Sequence, residues 1–231
     1  MNISSSLLCM NMANVCGDIE RILKLARGDQ RFNWLHADVM DNHFVPRLGL
    51  APELIRDVKQ EFPQVSIDSH LMISDPFSVI DAVAPYSDWI VYHYEAVTDP
   101  VRTLQKIRCA YPNVKIGLAI NLATIFNPAI IQLFDGVMIM GSSPGVLVTN
   151  SYPVIVKRKI VQCPDDKHYF VNGSVNYNTI KDYRNINSNG TLVCDSSTMF
   201  RIDEYNKKMN RDEMIEYNIV RIKDALGCER L

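Results

Sequence analysis

Two histidines and one aspartate are the residues of this sequence best suited to hold a cation. His36 and Asp38 stand two apart in Asn33-Trp34-Leu35-His36-Ala37-Asp38-Val39, a run that alternates like a strand, so both side chains leave the same face. His70 ends a second alternating run, Val65-Ser66-Ile67-Asp68-Ser69-His70-Leu71-Met72, in the same way. In a buried parallel sheet an imidazole and a carboxylate need a partner, and a metal ion is one that both can share. Two neutral imidazoles and a carboxylate suit a divalent zinc, manganese, iron or cobalt ion. An isolated His-x-Asp pair also serves as a structural hydrogen bond, so the spacing alone leaves both readings open.

The elements that must position these residues alternate along the chain between strand-like and helix-like segments, the pattern of a parallel α/β architecture. Strands are expected at residues 2–7, 33–39, 65–71, 89–92, 115–120, 136–140, 168–171 and 191–194. Amphipathic stretches fall at 15–26, 52–62, 76–84, 101–110, 176–185 and 213–226, with Pro52 and Pro76 where first-turn prolines belong. No Gly/Ser-rich linker separates the units. Residues 1–231 are therefore expected to form a single (β/α)8 TIM barrel domain with eight parallel strands, a fold that typically takes about 250 residues. An open doubly wound sheet would place a Gly-rich turn after its first strand, where this chain has Leu8-Cys9-Met10-Asn11. In a barrel the carboxyl ends of the strands carry the chemistry, and Ser6, His36, Asp38, His70, Asn121 and Asn172 all fall at or near those ends.

Composition narrows the class of partner. Hydrophobic residues at 47% and charged residues at 22% describe a globular chain with a sizeable core. A net charge of −2 gives no basic field for nucleic acid or for an anionic membrane, which leaves a small-molecule substrate as the better fit. The six cysteines are scattered without a C-x-x-C pair, no leader-like segment opens the sequence, and no run approaches the roughly 18 apolar residues of a membrane span. A cytoplasmic protein is expected.

His36-Ala37-Asp38-Val39-Met40-Asp41-Asn42-His43-Phe44-Val45-Pro46, followed by Ser69-His70-Leu71-Met72, resembles the ribulose-phosphate 3-epimerase family, including its allulose-6-phosphate 3-epimerase branch. Ile3-Ser4-Ser5-Ser6-Leu7-Leu8-Cys9-Met10 resembles the family's first strand, with Ser5 where proline is usual and Ser6 at the substrate serine. The resemblance implies a divalent metal held by two histidines and two aspartates, and a ketose phosphate epimerised at C3 through an enediolate. The two aspartates exchange protons with opposite faces of the sugar. His36 and His70 match the histidines and Asp38 the first aspartate, which is also a base. The resemblance further implies a homo-oligomer.

The same resemblance exposes departures. The usual Val-Asp-Gly-Gly is Val171-Asn172-Gly173-Ser174, so Asn172 stands at the second catalytic aspartate and offers at best a weak, neutral metal ligand. The mobile loop after the sixth strand is matched at Met138, Met140, Pro144 and Gly145, but Val146-Leu147-Val148-Thr149 replaces its Phe-x-Gly-Gln part. Phosphate is expected at Gly173, Ser174, Ser196 and Ser197, with Asp195 where a glycine allows close approach. His93 and Glu95 match the fourth strand's His-x-Glu, with an expected supporting role. A second reading follows from these departures: a catalytically inactive homologue that binds metal or sugar phosphate in a regulatory role. A barrel decarboxylase is disfavoured, because those relatives use Asp-x-Lys-x-x-Asp where this chain has Asp38-Val39-Met40-Asp41.

Overall fold

The computed structural model describes residues 1–146, 152–184, 189–195 and 198–227. Eight parallel strands close in sequence order: β1 (Asn2–Ser6), β2 (Trp34–Met40), β3 (Ser66–Met72), β4 (Trp89–His93), β5 (Lys115–Ile120), β6 (Gly136–Met140), β7 (His168–Asn172) and β8 (Gly190–Cys194). β1 pairs with both β2 and β8, which completes the cylinder. Outside it lie α1 (Val15–Leu25), α2 (Pro52–Glu61), the short α3 (Ile80–Val83), α4 (Pro100–Ala110), α5 (Pro153–Ile160), α6 (Tyr177–Arg184) and α7 (Arg211–Ala225).

Strand alternation separates two apolar compartments. Ile3, Leu35, Ile67, Ile90, Ile116 and Val137 face outward and pack with the helices in one continuous core. The inward set, Trp89, Val91, Ala119, Met138, Met140 and Phe170, fills the barrel. Its floor is aromatic: the His168 ring stacks on Trp34 with centroids 5.7 Å apart and lies 5.0 Å from Trp89. Gly136 makes room for this floor, because a Cβ there would come within 2.9 Å of the Trp89 ring. A packed floor leaves chemistry only the opposite, carboxyl-terminal end.

Local chemistry sets the helix starts. Asn14 and Asp99 cap α1 and α4, while Asn210 and Glu213 form a reciprocal capping box on α7. Proline occupies the first turn of α2, α4 and α5. α7 returns to α1 through Asp18, which is 1% exposed and accepts from Arg211 Nε at 2.6 Å. Residues 76–84 do not form the continuous helix that their periodicity predicts. The Asp75 carboxylate accepts from Phe77 N and tightens Pro76–Ser78 into a 3₁₀ turn, and Val79 at φ −131° breaks the run before α3. Residue 185, the expected end of α6, lies outside the described residues. No helix among the described residues is long and apolar enough to cross a membrane.

Candidate metal and active site

Register brings the sequence candidates together. β2 and β3 pair with His36 opposite Asp68 and Asp38 opposite His70, so two His/Asp dipeptide steps run antisymmetrically along adjacent strands. All four side chains point into the barrel, and His36, Asp68 and His70 are fully buried. His36 Nε2 lies 2.9 Å from Asp38 Oδ1, and His70 Nδ1 lies 3.3 Å from the same oxygen. One ligating atom from each of His36, Asp38 and His70 falls within 4.8 Å of the others. Asn172, at the end of β7, places its carboxamide 3.0 Å from His36 Nε2 and 3.1 Å from His70 Nδ1.

The hydrogen bonds behind these residues decide which nitrogens face the centre. Asp68 accepts from Ser4 Oγ at 2.6 Å and from the His36 Nδ1–H, which turns Nε2 inward. On the other side His70 Nε2 sits 2.9 Å from His93 Nε2, and His93 Nδ1 sits 3.2 Å from Glu95 Oε2. Glu95 is a firm acceptor: burial would raise its carboxyl, but His93, Thr124 and the Asn121 backbone outweigh that and lower it to about 2. With both rings neutral, His93 therefore donates through Nδ1 to Glu95 and accepts from His70 through Nε2, leaving a bare lone pair on His70 Nδ1. That lone pair faces an Asp38 oxygen. Two acceptors 3.3 Å apart repel unless a positive charge lies between them, so the donor set fits a cation. Rotation of the Asn172 carboxamide by half a turn would present its oxygen to the same point.

Without a cation the charge falls on His36. Burial opposes protonation, yet Asp38 and Asp68 together outweigh it and raise His36 to about 10. Burial lowers His70 to about 3, against the pull of Asp38. Asp38 is held well below the usual carboxylate range: burial acts upward, and His36 and His70 overcome it. Asp68 shifts upward because its burial is complete. Phe44, from the loop after β2, covers His93 with ring centroids 4.8 Å apart and keeps water from the supporting chain.

Above the cluster opens a cleft lined by Ser6, Asp38, Arg47, Ser142, Ser143, Gly145, Asn172, Gly173 and Asp195, with Met40, Met72 and Met140 on its walls. Over residues 2–199 the chain matches the model of the ribulose-phosphate 3 epimerase family. It belongs to that family. It is 32% identical over 147 residues to a protein named ribulose-phosphate 3-epimerase from Buchnera aphidicola subsp. Schizaphis graminum, covering 62% of this chain and 61% of that one. With the Rhodobacter capsulatus protein of the same name it shares 36% over 151 residues, covering 63% and 61%. The alignments thus span about three fifths of these relatives' length. The crystal structure of 3-hexulose-6-phosphate synthase from Salmonella typhimurium superposes with a TM-score of 0.64 at 15% identity, over 96% of this chain and all of that one, a likeness of fold.

Within the family frame, Ser6 approaches Asp38 Oδ2 at 3.5 Å, and Gly173, at φ +80°, lines the cleft beside Asn172. Ser174 does not line it. Its hydroxyl donates to the Gly141 carbonyl and accepts from Tyr152 N at 3.1 Å, bracing the ends of β6 and β7. Gly141 is fixed by the same contact, since a Cβ would lie 2.1 Å from the Gly173 carbonyl. Gly145 rests on the loop after β2, where a Cβ would meet Val45 at 2.8 Å. Ser196, Ser197 and the Leu147-Val148-Thr149 part of the lid segment lie outside the described residues. Two residues of the site were not expected. Asp68 carried a usable signal, because Asp68-x-His70 repeats the spacing of His36-x-Asp38. Arg47 carried none, since it sits in a loop.

Proposed function

We propose that this chain is a metal-dependent 3-epimerase of a ketose phosphate, of the ribulose-5-phosphate or allulose-6-phosphate type. The observation that carries the reading is the convergence of His36 Nε2, Asp38 Oδ1 and His70 Nδ1 beneath an open cleft. These atoms would hold zinc, iron, manganese or cobalt, with Asn172 as a weak fourth ligand. A divalent cation held there supplies Lewis acidity toward the ketose carbonyl. Asp38 divides its labour: Oδ1 faces the histidines, while Oδ2 faces Ser6 and takes the proton from C3. Ser6 orients the sugar, and Gly145 and Gly173 line the part of the cleft assigned to the phosphate, where the resemblance also puts Ser196 and Ser197, which lie outside the described residues. Ser174 serves there as a brace.

Asn172 supports a second reading, a homologue that binds without full turnover. Its carboxamide cannot carry a proton to the opposite face of the sugar near neutral pH. Metal analysis combined with proton exchange separates the two. The epimerase reading expects one divalent ion per chain, and C3–H exchange into deuterated solvent together with inversion on ribulose 5-phosphate or allulose 6-phosphate. Exchange without inversion would mean that Asp38 works alone. A metal-loaded protein with neither would leave the binding reading.

Three further proposals accompany this one. We read residues 1–231 as a single barrel domain, a reading supported by strands running from residue 2 to residue 194 and by α7 packing back on α1. A reducing, cytoplasmic setting agrees with Cys16, Cys109, Cys163 and Cys194 remaining outside disulfides. Self-association rests on the family resemblance alone.

A further inference from the structure

We infer, resting on the ketose phosphate reading above, that the guanidinium of Arg47 binds the substrate's phosphate group. The cleft over the metal ligands presents two carboxylates, Asp38 and Asp195, and Arg47 is the one basic side chain among its described lining residues. A phosphate dianion entering such a cleft meets repulsion from both acids, so some cation other than the one beneath Asp38 must offset it. The Ser174 hydroxyl is not available for this, because it is committed to Gly141 and Tyr152.

Two observations separate Arg47 from an ordinary surface arginine. Arg21, Arg27, Arg108, Arg211 and Arg221 each hold an acid at 3.1 Å or closer, and Arg102, Arg158 and Arg201, which hold none among the described residues, are exposed where Arg47 is half-buried. Among the described residues the Arg47 guanidinium makes no hydrogen bond or ion pair, although two acids line the same cleft and the side chain is half-buried. Five donors are left for a ligand. The loop that carries it is also held in place. The Asp41 carboxylate accepts from His43 N and Phe44 N at 2.8 Å and from Ser74 N at 2.7 Å. Arg47 N donates to Val45 O at 2.8 Å and Arg47 O accepts from Asn42 N at 3.1 Å, while Gly145 packs on Val45 from the far side. An arginine with a fixed backbone and an uncommitted fork loses less freedom on binding an oxyanion than a lysine on a mobile loop would.

The test compares metal-loaded wild type with Arg47→Ala and Arg47→Lys. The probes are ribulose 5-phosphate or allulose 6-phosphate, the matching unphosphorylated ketose, inorganic phosphate and ribonate. Arg47→Ala should raise KM for the ketose phosphate about 10- to 100-fold, the scale of a charge-assisted bidentate contact, with kcat within about twofold. Inhibition by inorganic phosphate should weaken by a similar factor, and affinity for the unphosphorylated ketose should not change. Arg47→Lys should fall between, and an unchanged melting temperature in both variants certifies the fold. Wild-type KM and wild-type phosphate inhibition in Arg47→Ala overturn the assignment and leave the epimerase reading standing. Should wild type turn over no ketose phosphate, that reading fails by itself. Calorimetric binding of inorganic phosphate then still decides Arg47: loss in Arg47→Ala supports the contact, and equal binding overturns it. Ribonate bound more tightly than phosphate, and released by Arg47→Ala, would assign the guanidinium to a carboxylate and overturn the phosphate contact.

Discussion

The two sides of the barrel mouth were treated differently. On the β2–β4 side both histidines of the cluster have backing partners: Ser4 and Asp68 behind His36, then His93, Glu95 and Thr124 behind His70. The chain of contacts reaches as far as α5, where Lys159 donates to the Thr124 carbonyl. On the β6–β8 side the family's second acid is Asn172, the serine after Gly173 braces backbone, and Asp195 lines the cleft. A cation site depends on donors fixed within tenths of an ångström by their supports, and a single lost support relaxes the whole set. A phosphate site depends on summed charge and on backbone reach, which one arginine elsewhere can restore. Under the proposed function, the difference teaches that the side holding the cation tolerates no drift and the side facing the phosphate does.

The largest effect expected from breaking the first side is at Asp38. Asp38→Asn removes the charge of one ligand and the base with it, so C3–H exchange should fall at least about 10⁴-fold, the upper end for a single positioned base. Exchange followed by proton NMR in deuterated solvent reads this directly. Residual exchange within tenfold of wild type would place the base elsewhere and remove the basis for contrasting the two sides.

Next in size is the reverse change on the eroded side. Asn172→Asp should raise the rate of inversion by about 10²- to 10³-fold while C3–H exchange rises less, because the restored carboxylate returns a proton to the opposite face. The ratio of inversion to exchange is the measurement. A ratio that stays at its wild-type value would show that another donor already serves that face, and the Asn172 side would be intact by other means.

What the sequence disclosed follows the same division. His36, Asp38 and His70 were legible because a strand repeats every two residues and any polar pair in register must share a face. Asp68 obeyed the same period two residues before His70. Arg47 had no period to betray it: a loop residue's direction is set by contacts such as Asp41 with Ser74 N, which join segments 33 residues apart. The fold was legible to the same degree. β5 and β6 have the bounds that their apolar runs predict. α5 was not among the helical stretches named from the sequence; Val154, Ile155 and Val156 are β-branched and weaken its helical signal. Pro153 at its first turn, the basic Lys157-Arg158-Lys159 of its last turn, and burial of Val156 and Ile160 make it a helix.

A smaller effect tests the supports themselves. Glu95→Gln leaves a hydrogen-bond partner for His93 but no longer fixes its tautomer, so metal affinity should fall about 10- to 100-fold with less change in the metal-saturated rate. The pH dependence sharpens the point. His36 is raised to about 10 by Asp38 and Asp68, so it carries a proton across the neutral range, and binding a cation at Nε2 must release it. Apparent affinity should therefore rise about tenfold per pH unit between pH 6 and 8 in both proteins. Calorimetry in buffers of different ionisation enthalpy counts the proton. Affinity independent of pH would mean that Nε2 is not the ligating atom.

The smallest change concerns Asp195. Its carboxylate lines the cleft, and its backbone carbonyl is already taken by the amides of Thr198 and Met199. Replacing it by glycine removes one negative charge from the anion's approach. A carboxylate and a phosphate dianion about 5 Å apart repel by about 1.7 kcal/mol at the dielectric of water, so Asp195→Gly should tighten ketose phosphate binding by up to about 15-fold at low salt. The gain should shrink as salt is raised, since an open cleft is screened over about 10 Å at 0.1 M. A gain of a hundredfold would indicate a site closed to water, where the carboxylate acts at low dielectric and the anion side is as tightly built as the cation side. No gain, with Arg47→Ala strongly impaired, would place the phosphate wholly on the β2 side of the cleft, beyond the reach of Asp195.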